Sequence, residues 1–181
     1  ASNERTAESA YLEAFPRHRR SGQLHASSHA VASRASVCAI TAMSDAGPAA
    51  MVVGTFTSVS LNPPLVGFFP DKSSTSWPRI EGAGQFCVNV LGAHQRDWCE
   101  KLAAKTEDKL ASIPHRLSAD TGSPILDGVV AWIDCTLHSV HECGDHFLVL
   151  GMVKALAAKG EGDPLLFLRG QFGTYCPMAV R

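Results

Sequence analysis

The chain has 181 residues and a formal net charge of −1, with 45% hydrophobic and 18% charged residues. This length and composition suit one globular domain with a buried core and exclude an intrinsically disordered protein. The near-zero charge gives no reason to expect a nucleic-acid partner, and the short basic run at residues 17–20 lacks the interleaved aromatic residues on which bases stack.

The N-terminal region predicts neither a membrane segment nor a secretion signal. No apolar run approaches the roughly 20 residues that a membrane-spanning helix needs, and Glu4, Arg5 and Glu8 interrupt any signal core. We therefore expect a cytoplasmic protein with no membrane partner. Its six cysteines have no paired spacing, which indicates separate reduced thiols, several of them buried.

The first half of the chain reads as a polar arm followed by strands. Residues 1–24 form the predicted arm, with a short helix that ends before Pro16, and residues 25–181 form the predicted domain. We expect strands at 35–43, 51–61 and 65–69, the first two joined as a hairpin. Pro63 and Pro64 interrupt the strand ladder because proline has no N–H to donate.

The second half alternates short helices with longer strands. Helices are predicted at 73–82, with a serine or threonine cap, and at 94–105. Strands are predicted at 85–91, 125–140, 147–156 and 163–168, with a loop-rich stretch at 105–123 and a turn at 141–146. Since parallel strands need crossovers of about a dozen residues, the short connections favour a closed, mainly antiparallel barrel.

Two neighbouring segments are rich in hydroxyl groups. In the predicted second strand, Thr55 and Thr57 would face one side while Ser58 and Ser60 face the other. Residues 72–76 (Lys-Ser-Ser-Thr-Ser) then open the predicted helix, where hydroxyls, backbone N–H groups and Lys72 would suit a phosphate ester. Taken alone, the first segment also fits a strand with a wet outer face, and the second fits an ordinary helix cap.

The run from residue 51 to residue 66 resembles the flavin-binding segment of the flavin reductase-like family, the FMN-binding split barrels. The matching residues are Met51, Phe56, Ser58, Val59, Ser60, Pro63, Pro64, Leu65 and Val66. The chain departs at Val52, where the family usually has threonine, and at Gly54 and Thr55, where it usually has two serines. Val52 and Gly54 would therefore contribute only backbone groups to flavin binding, whereas Thr55 keeps a hydroxyl.

Two later motifs extend the resemblance as far as residue 175. Gly144-Asp145-His146 resembles a family hallmark whose histidine lies near the nicotinamide of NAD(P)H, with Asp145 able to fix the histidine tautomer. Taken alone, this motif is also an ordinary polar turn. Arg169 and Phe172 resemble the closing segment of the family, which implies contacts near the flavin across a dimer interface.

The resemblance implies a mainly β fold, namely a split antiparallel β-barrel of Greek-key type with a few short flanking helices. It also implies a homodimer that transfers hydride from NADH or NADPH, as a dissociable substrate, to FMN or FAD and supplies reduced flavin to a partner monooxygenase. His146 and Asp145 are the expected catalytic residues. The expected flavin contacts are Met51, Val52, Val53, Gly54, Thr55, Ser58, Val59, Ser60, Lys72, Ser73, Ser74, Ser76, Arg169 and Phe172.

Three alternatives remain open from the residues. The chain would be a flavin-binding or carrier protein with little reductase activity, or a related reductase that acts on another bound cofactor such as a corrin. A metal site built from His138, His141, Cys143 and His146 is the third, but this spacing matches none of the common zinc patterns. We therefore predict no metal.

Overall fold

The computed structural model describes residues 36–106, 108–158 and 162–176, so the predicted N-terminal arm and its helix lie outside the described residues. Its main element is a seven-stranded antiparallel sheet. The strands are β1 (Cys38–Ser44), β2 (Gly47–Val53), β3 (Thr57–Leu61), β4 (Pro64–Phe68), β5 (Gln85–Val90), β8 (Ala131–Cys143) and β9 (His146–Ala158). Their order in the sheet is β2-β1-β5-β8-β9-β4-β3, which leaves β2 and β3 at its two ends.

Two small hairpins and three short helices flank this sheet. The hairpins pair β6 (His115–Leu117) with β7 (Pro124–Leu126) and β10 (Leu166–Leu168) with β11 (Gln171–Gly173). The helices are α1 (Trp77–Ala83), a 3-10 turn (Ala93–Gln95) and α2 (Arg96–Ala103). None of the helices in the described part of the chain combines the length and the apolar character that crossing a bilayer requires.

The sheet curves into a barrel around one apolar core. Met51 of β2 and Val66 of β4 belong to strands far apart in the sheet order, yet both pack into the same buried cluster. At its centre the Phe68 ring meets Phe86 edge-on at 5.3 Å and Trp77 at 5.9 Å between centroids. The predicted mainly β, split-barrel fold is confirmed.

A second buried cluster fixes the segment that follows α2. Leu102 of α2 packs with Leu91, Leu110 and Ile113, all of them buried. The helix also packs against β2. Residues 104–106 and 108–110 are therefore held beside the C-terminal end of β2, in a stretch that the sequence pattern marked only as loop-rich.

Several predicted boundaries were wrong. The strand predicted at 51–61 is interrupted at residues 54–56, because β2 pairs with β1 while β3 pairs with β4 on the far side of the sheet. The strand predicted at 125–140 is split into β7 and β8 by a turn at residues 127–130, where Gly128 has a φ of +72°. Thr55 therefore lies in a connection and not in a strand.

The helix predicted at 73–82 begins only at Trp77. Residues 71–74 form a separate turn in which the Asp71 carboxylate accepts the Ser73 N–H, and Pro78 removes one helical donor from the first turn. Ser76 occupies the cap position but makes no capping hydrogen bond with its side chain. The turn predicted at 141–146 is also shorter, since β8 and β9 leave only Gly144 and Asp145 between them.

The tight packing of the core predicts a stability effect at Gly151 in β9. A Cβ atom there would lie 2.5 Å from Cζ of Phe86 and 3.1 Å from Cβ of Cys135, so Gly151→Ala should overpack the barrel. We expect the free energy of unfolding in urea to fall by about 1–3 kcal/mol. The matched control is Gly82→Ala at an exposed position of α1, where no atom lies within 4 Å of the added methyl. A Gly151→Ala protein as stable as the control would show that the strands do not pack this closely.

Candidate functional site

A cavity of about 400 Å³ lies where four chain segments meet. It is bounded by the open end of β2, the connection from β4 to α1, the tip of the β8–β9 hairpin and the segment after α2. Nine residues that the sequence singled out line it: Met51, Val52, Val53, Gly54, Thr55, Ser73, Ser74, Ser76 and His146. The structure thus brings together three motifs that are as far as 95 residues apart in the chain.

The β2 wall offers the cavity mainly backbone. The side chains of Met51 and Val53 are buried in the barrel core. Gly54 leaves open space, since no atom lies within 4 Å of the position that a Cβ would take. Because β2 is an end strand, paired only with β1 in the described sheet, its outer edge keeps backbone groups free for a ligand.

The Thr55 hydroxyl ties this wall to the end of β4. Its Oγ1 accepts the Phe69 N–H at 3.0 Å. The hydroxyl that the sequence assigned to ligand binding therefore has a structural role in the connection between β2 and β3. Thr55 lines the cavity, but its hydroxyl oxygen already accepts a hydrogen bond that stabilises the connection between β2 and β3.

Residues 71–76, which we call the hydroxyl turn, are held in shape by their own hydrogen bonds. The Asp71 side chain accepts the Ser73 N–H at 2.6 Å, its carbonyl accepts the Ser74 N–H at 3.0 Å, and Oγ of Ser74 accepts the Trp77 N–H at 3.3 Å. The hydrogen bonds from Ser73, aided by the charge of His146, hold the pKa of Asp71 below its usual value. Because these bonds consume only some of the donors, the Ser74 hydroxyl proton remains available to a ligand.

The positive charge at this turn comes from a part of the chain that the sequence did not single out. Nζ of Lys109 donates to Oγ of Ser76 at 3.0 Å, and Lys105 also lines the cavity. Burial, together with the nearby charge of Arg79, lowers the pKa of Lys109. No local pattern marks these two lysines among the 16 lysines and arginines of the chain, because only the packing of Leu102 and Leu110 brings their loop here.

Lys72 lies elsewhere. Its Nζ pairs with Glu142 at 2.9 Å and lies 5.3 Å from the centroid of the Phe147 ring. It does not line the cavity. The lysines that line the cavity are Lys105 and Lys109.

The tip of the β8–β9 hairpin is fastened to the hydroxyl turn. The Lys72 N–H donates to the carbonyl of Asp145 and the Phe147 N–H donates to that of Pro70, both at 2.9 Å. Within the tip, Nδ1 of His146 lies 2.7 Å from Oδ1 of Asp145. The hydrogen bond and the charge of His146 hold the pKa of Asp145 below its usual value. A bond from Nδ1–H to the carboxylate fixes the imidazole tautomer and leaves Nε2 for other contacts.

The remaining predicted residues lie away from the cavity of this chain. Those on β3 are Ser58, Val59 and Ser60, and those on the hairpin of β10 and β11 are Arg169 and Phe172. The Arg96 guanidinium lies 5.2 Å from the centroid of the Phe172 ring, and Arg169 has a φ of +53° at the hairpin turn. Asp145 reaches the site only through His146.

The structure does not support the alternative of a metal site. Among residues 36–106, 108–158 and 162–176, no three His, Cys, Asp or Glu side chains converge on a common point. His141 bonds Ser139 and His146 bonds Asp145, so the histidines have separate partners. Four of the cysteines (Cys38, Cys87, Cys99 and Cys135) are buried thiols, and burial raises the pKa of Cys38 to about 12.

Comparison with known proteins gives consistent matches. The family model described as "Flavin reductase like domain" matches residues 32–175. The flavin reductase of Pseudomonas putida is 59% identical over 140 residues, covering 77% of this chain and 82% of that protein. HsaB of Rhodococcus jostii, the reductase subunit of a flavin-dependent monooxygenase, is 46% identical over 136 residues, covering 75% of this chain and 69% of that protein.

A solved structure gives the same match in three dimensions. The NADH:FAD oxidoreductase SgcE6 of Streptomyces globisporus, in complex with NAD and FAD fragments, superposes with a TM-score of 0.76. It is 31% identical in sequence, and the match covers 81% of this chain and 88% of that one.

Proposed function

This chain belongs to the flavin reductase-like domain family, and we propose that it transfers a hydride from NADH or NADPH to FMN or FAD and supplies the reduced flavin to a partner monooxygenase. The observation that carries the proposal is the single cavity in which the β2 edge, the hydroxyl turn with Lys109, and His146 meet. A reduced nicotinamide and a flavin supply the redox chemistry themselves, so the protein has to bind and align them.

The end of the cavity that is lined by Ser74, Ser76 and Lys109 suits a flavin phosphate. Lys109 is partly desolvated and lies near Arg79, and in the described residues neither cation has a carboxylate within ion-pair distance. Two like charges held close together are unfavourable unless an anion joins them. The hydroxyls of Ser74 and Ser76, with Lys109, would hold such an anion through charge-assisted hydrogen bonds.

The end of the cavity that is bounded by the edge of β2 suits a flat ring with polar edges. Free backbone groups of an edge strand can pair with the carbonyl and N–H groups of the isoalloxazine, as they would pair with another strand. The open space at Gly54 lets the ring approach the backbone closely. The departures from the family pattern at Val52 and Gly54 are therefore compatible with binding, because this wall contributes backbone in any case.

We assign His146 to the nicotinamide. It lines the cavity, and the bonds between the hairpin tip and residues 70–72 fix it relative to the hydroxyl turn. Asp145 orients the imidazole by accepting from Nδ1. The role of this pair is to place the nicotinamide against the flavin ring, and no side chain has to act as an acid or a nucleophile.

We also propose a homodimer. Val59 is 47% exposed and Leu61 52% exposed on the end strand β3, and Leu168 is 67% exposed on the hairpin of β10 and β11. A second copy that covers these surfaces would explain why residues of β3 and of this hairpin resemble flavin contacts yet lie away from the cavity of their own chain. Light scattering at micromolar concentration should give twice the mass of the chain.

Steady-state oxidation of NADH and NADPH in the presence of FMN or FAD tests the activity. We expect turnover that depends on added flavin with at least one of the two nucleotides. Tight flavin binding without nicotinamide oxidation would instead favour a flavin carrier. The lack of any flavin-dependent turnover would contradict the reductase function.

His146→Ala should separate the two ligands. We expect the KM for the nicotinamide to rise by about tenfold, equivalent to roughly 1.4 kcal/mol, because the imidazole no longer contacts that ligand. The Kd for flavin should stay nearly unchanged. The control is His141→Ala, which removes an exposed histidine of the same hairpin that does not line the cavity. An equal loss of affinity for both ligands would place His146 against the flavin.

Lys109→Met tests the phosphate contact. The variant keeps the aliphatic stem and removes the charge, so we expect the Kd for FMN to rise by about tenfold or more while riboflavin, which has no phosphate, binds as before. The control, Lys101→Met, removes an exposed lysine of α2 outside the cavity lining. If FMN and riboflavin were affected equally, Lys109 would not bind the phosphate.

A further inference from the structure

A second cavity adjoins the first across the hydroxyl turn. It measures about 640 Å³, and Thr75, Ser76 and Lys105 line both cavities. Its other walls include Ala46 at the turn between β1 and β2 and Arg79 of α1. The three shared residues form a ridge, with the proposed flavin site on one side and this second cavity on the other.

The second cavity has a fixed positive wall. Nη2 of Arg79 donates to the carbonyls of Ala46, Gly47 and Pro48 at 3.3, 3.3 and 2.9 Å, which holds the guanidinium against the turn. Nε of Arg79 is buried without a hydrogen-bond partner. With Lys105 on the ridge and Lys109 bonded to Ser76, cations lie on both sides of the place assigned to the flavin phosphate. Such a distribution of charge suits two linked phosphates better than one.

Among the flavin nucleotides, FAD carries two linked phosphates. FMN ends at its phosphate, whereas FAD continues from the same phosphate into a second phosphate, a ribose and an adenine. We propose that the second cavity binds the adenylate half of FAD, so that this protein selects FAD over FMN. The inference rests on the proposed function, because the flavin phosphate must first lie at the ridge.

The walls and the size of the cavity fit an adenylate group. Pro48 offers an apolar surface to the base, while Thr106 and Asp108 offer acceptors to ribose hydroxyls or to the exocyclic amine. The volume lies within the range of roughly 300–1,000 Å³ typical of small-molecule sites.

The adenylate half of NADH or NADPH fits the second cavity less well than the adenylate half of FAD. His146, to which we assign the nicotinamide, lines only the first cavity. The second cavity continues from the side where the flavin phosphate is expected. The second cavity therefore lies where the part of FAD beyond the first phosphate would extend.

Ala46→Phe tests the proposal by filling the second cavity from an exposed turn, at a residue that does not itself line the first cavity. The wild-type protein should bind FAD at least about tenfold more tightly than FMN, and the variant should lose most of that difference while its Kd for FMN stays unchanged. Asp45→Phe is the matched control, because it adds the same bulk at the neighbouring exposed position, which lines neither cavity. Fluorescence titration of both flavins measures all of these constants.

The outcomes separate this inference from the function on which it rests. Equal affinities of the wild type for FAD and FMN, with normal reduction of both, would overturn the inference and leave the reductase function intact. A raised KM for NADH in Ala46→Phe, with unchanged FAD binding, would assign the cavity to the nicotinamide nucleotide and overturn it too. A wild type that neither binds nor reduces any flavin would overturn both.

Discussion

The site depends on one structural constraint, the fastening of the connection between β4 and α1 to two neighbouring segments. The Phe69 N–H bonds to the Thr55 hydroxyl on one side, while on the other the Pro70 carbonyl and the Lys72 N–H bond to the hairpin tip. These contacts hold the hydroxyl turn between the end of β2 and His146. Because the barrel core fixes β2, β4 and β9 relative to each other, the fold itself holds the groups that we propose as flavin and nicotinamide contacts in fixed relative positions.

The electrostatics of the site complement this rigidity. The charge of Arg79 adds to burial in lowering the pKa of Lys109, and the described part of the chain places no carboxylate within ion-pair distance of either cation. Two unpaired cations close together favour the binding of an anion between them, which is the role that we propose for this end of the cavity. A phosphate-bearing ligand should therefore stabilise the fold through mass action. Exposed ion pairs such as Lys72 with Glu142 contribute little by comparison.

The sequence predicted the fold class from its short strand connections and its family resemblance, and it predicted many of the cavity residues because each of the three motifs is a local pattern. Gly144-Asp145 between two alternating runs predicts a hairpin, and the hydroxyl clusters beside Pro63 and Pro64 stand out by composition. The sequence did not predict features that depend on contacts between distant segments. The break at Gly54 arises because the chain passes from one end of the sheet to the other, and the residue pattern carries no sign of that passage. Likewise Lys72, adjacent to the hydroxyls in sequence, pairs with a residue 70 positions away, while Lys109 reaches Ser76 from 33 positions away.

A crystal structure of the protein with bound flavin nucleotide would show where the phosphate and the ring of the flavin lie. We expect the phosphate within hydrogen-bond distance of Ser76 and Lys109, and the isoalloxazine against the backbone of residues 52–54. A phosphate bound beside Lys72, or a ring lying outside the cavity formed by β2 and His146, would contradict this expectation.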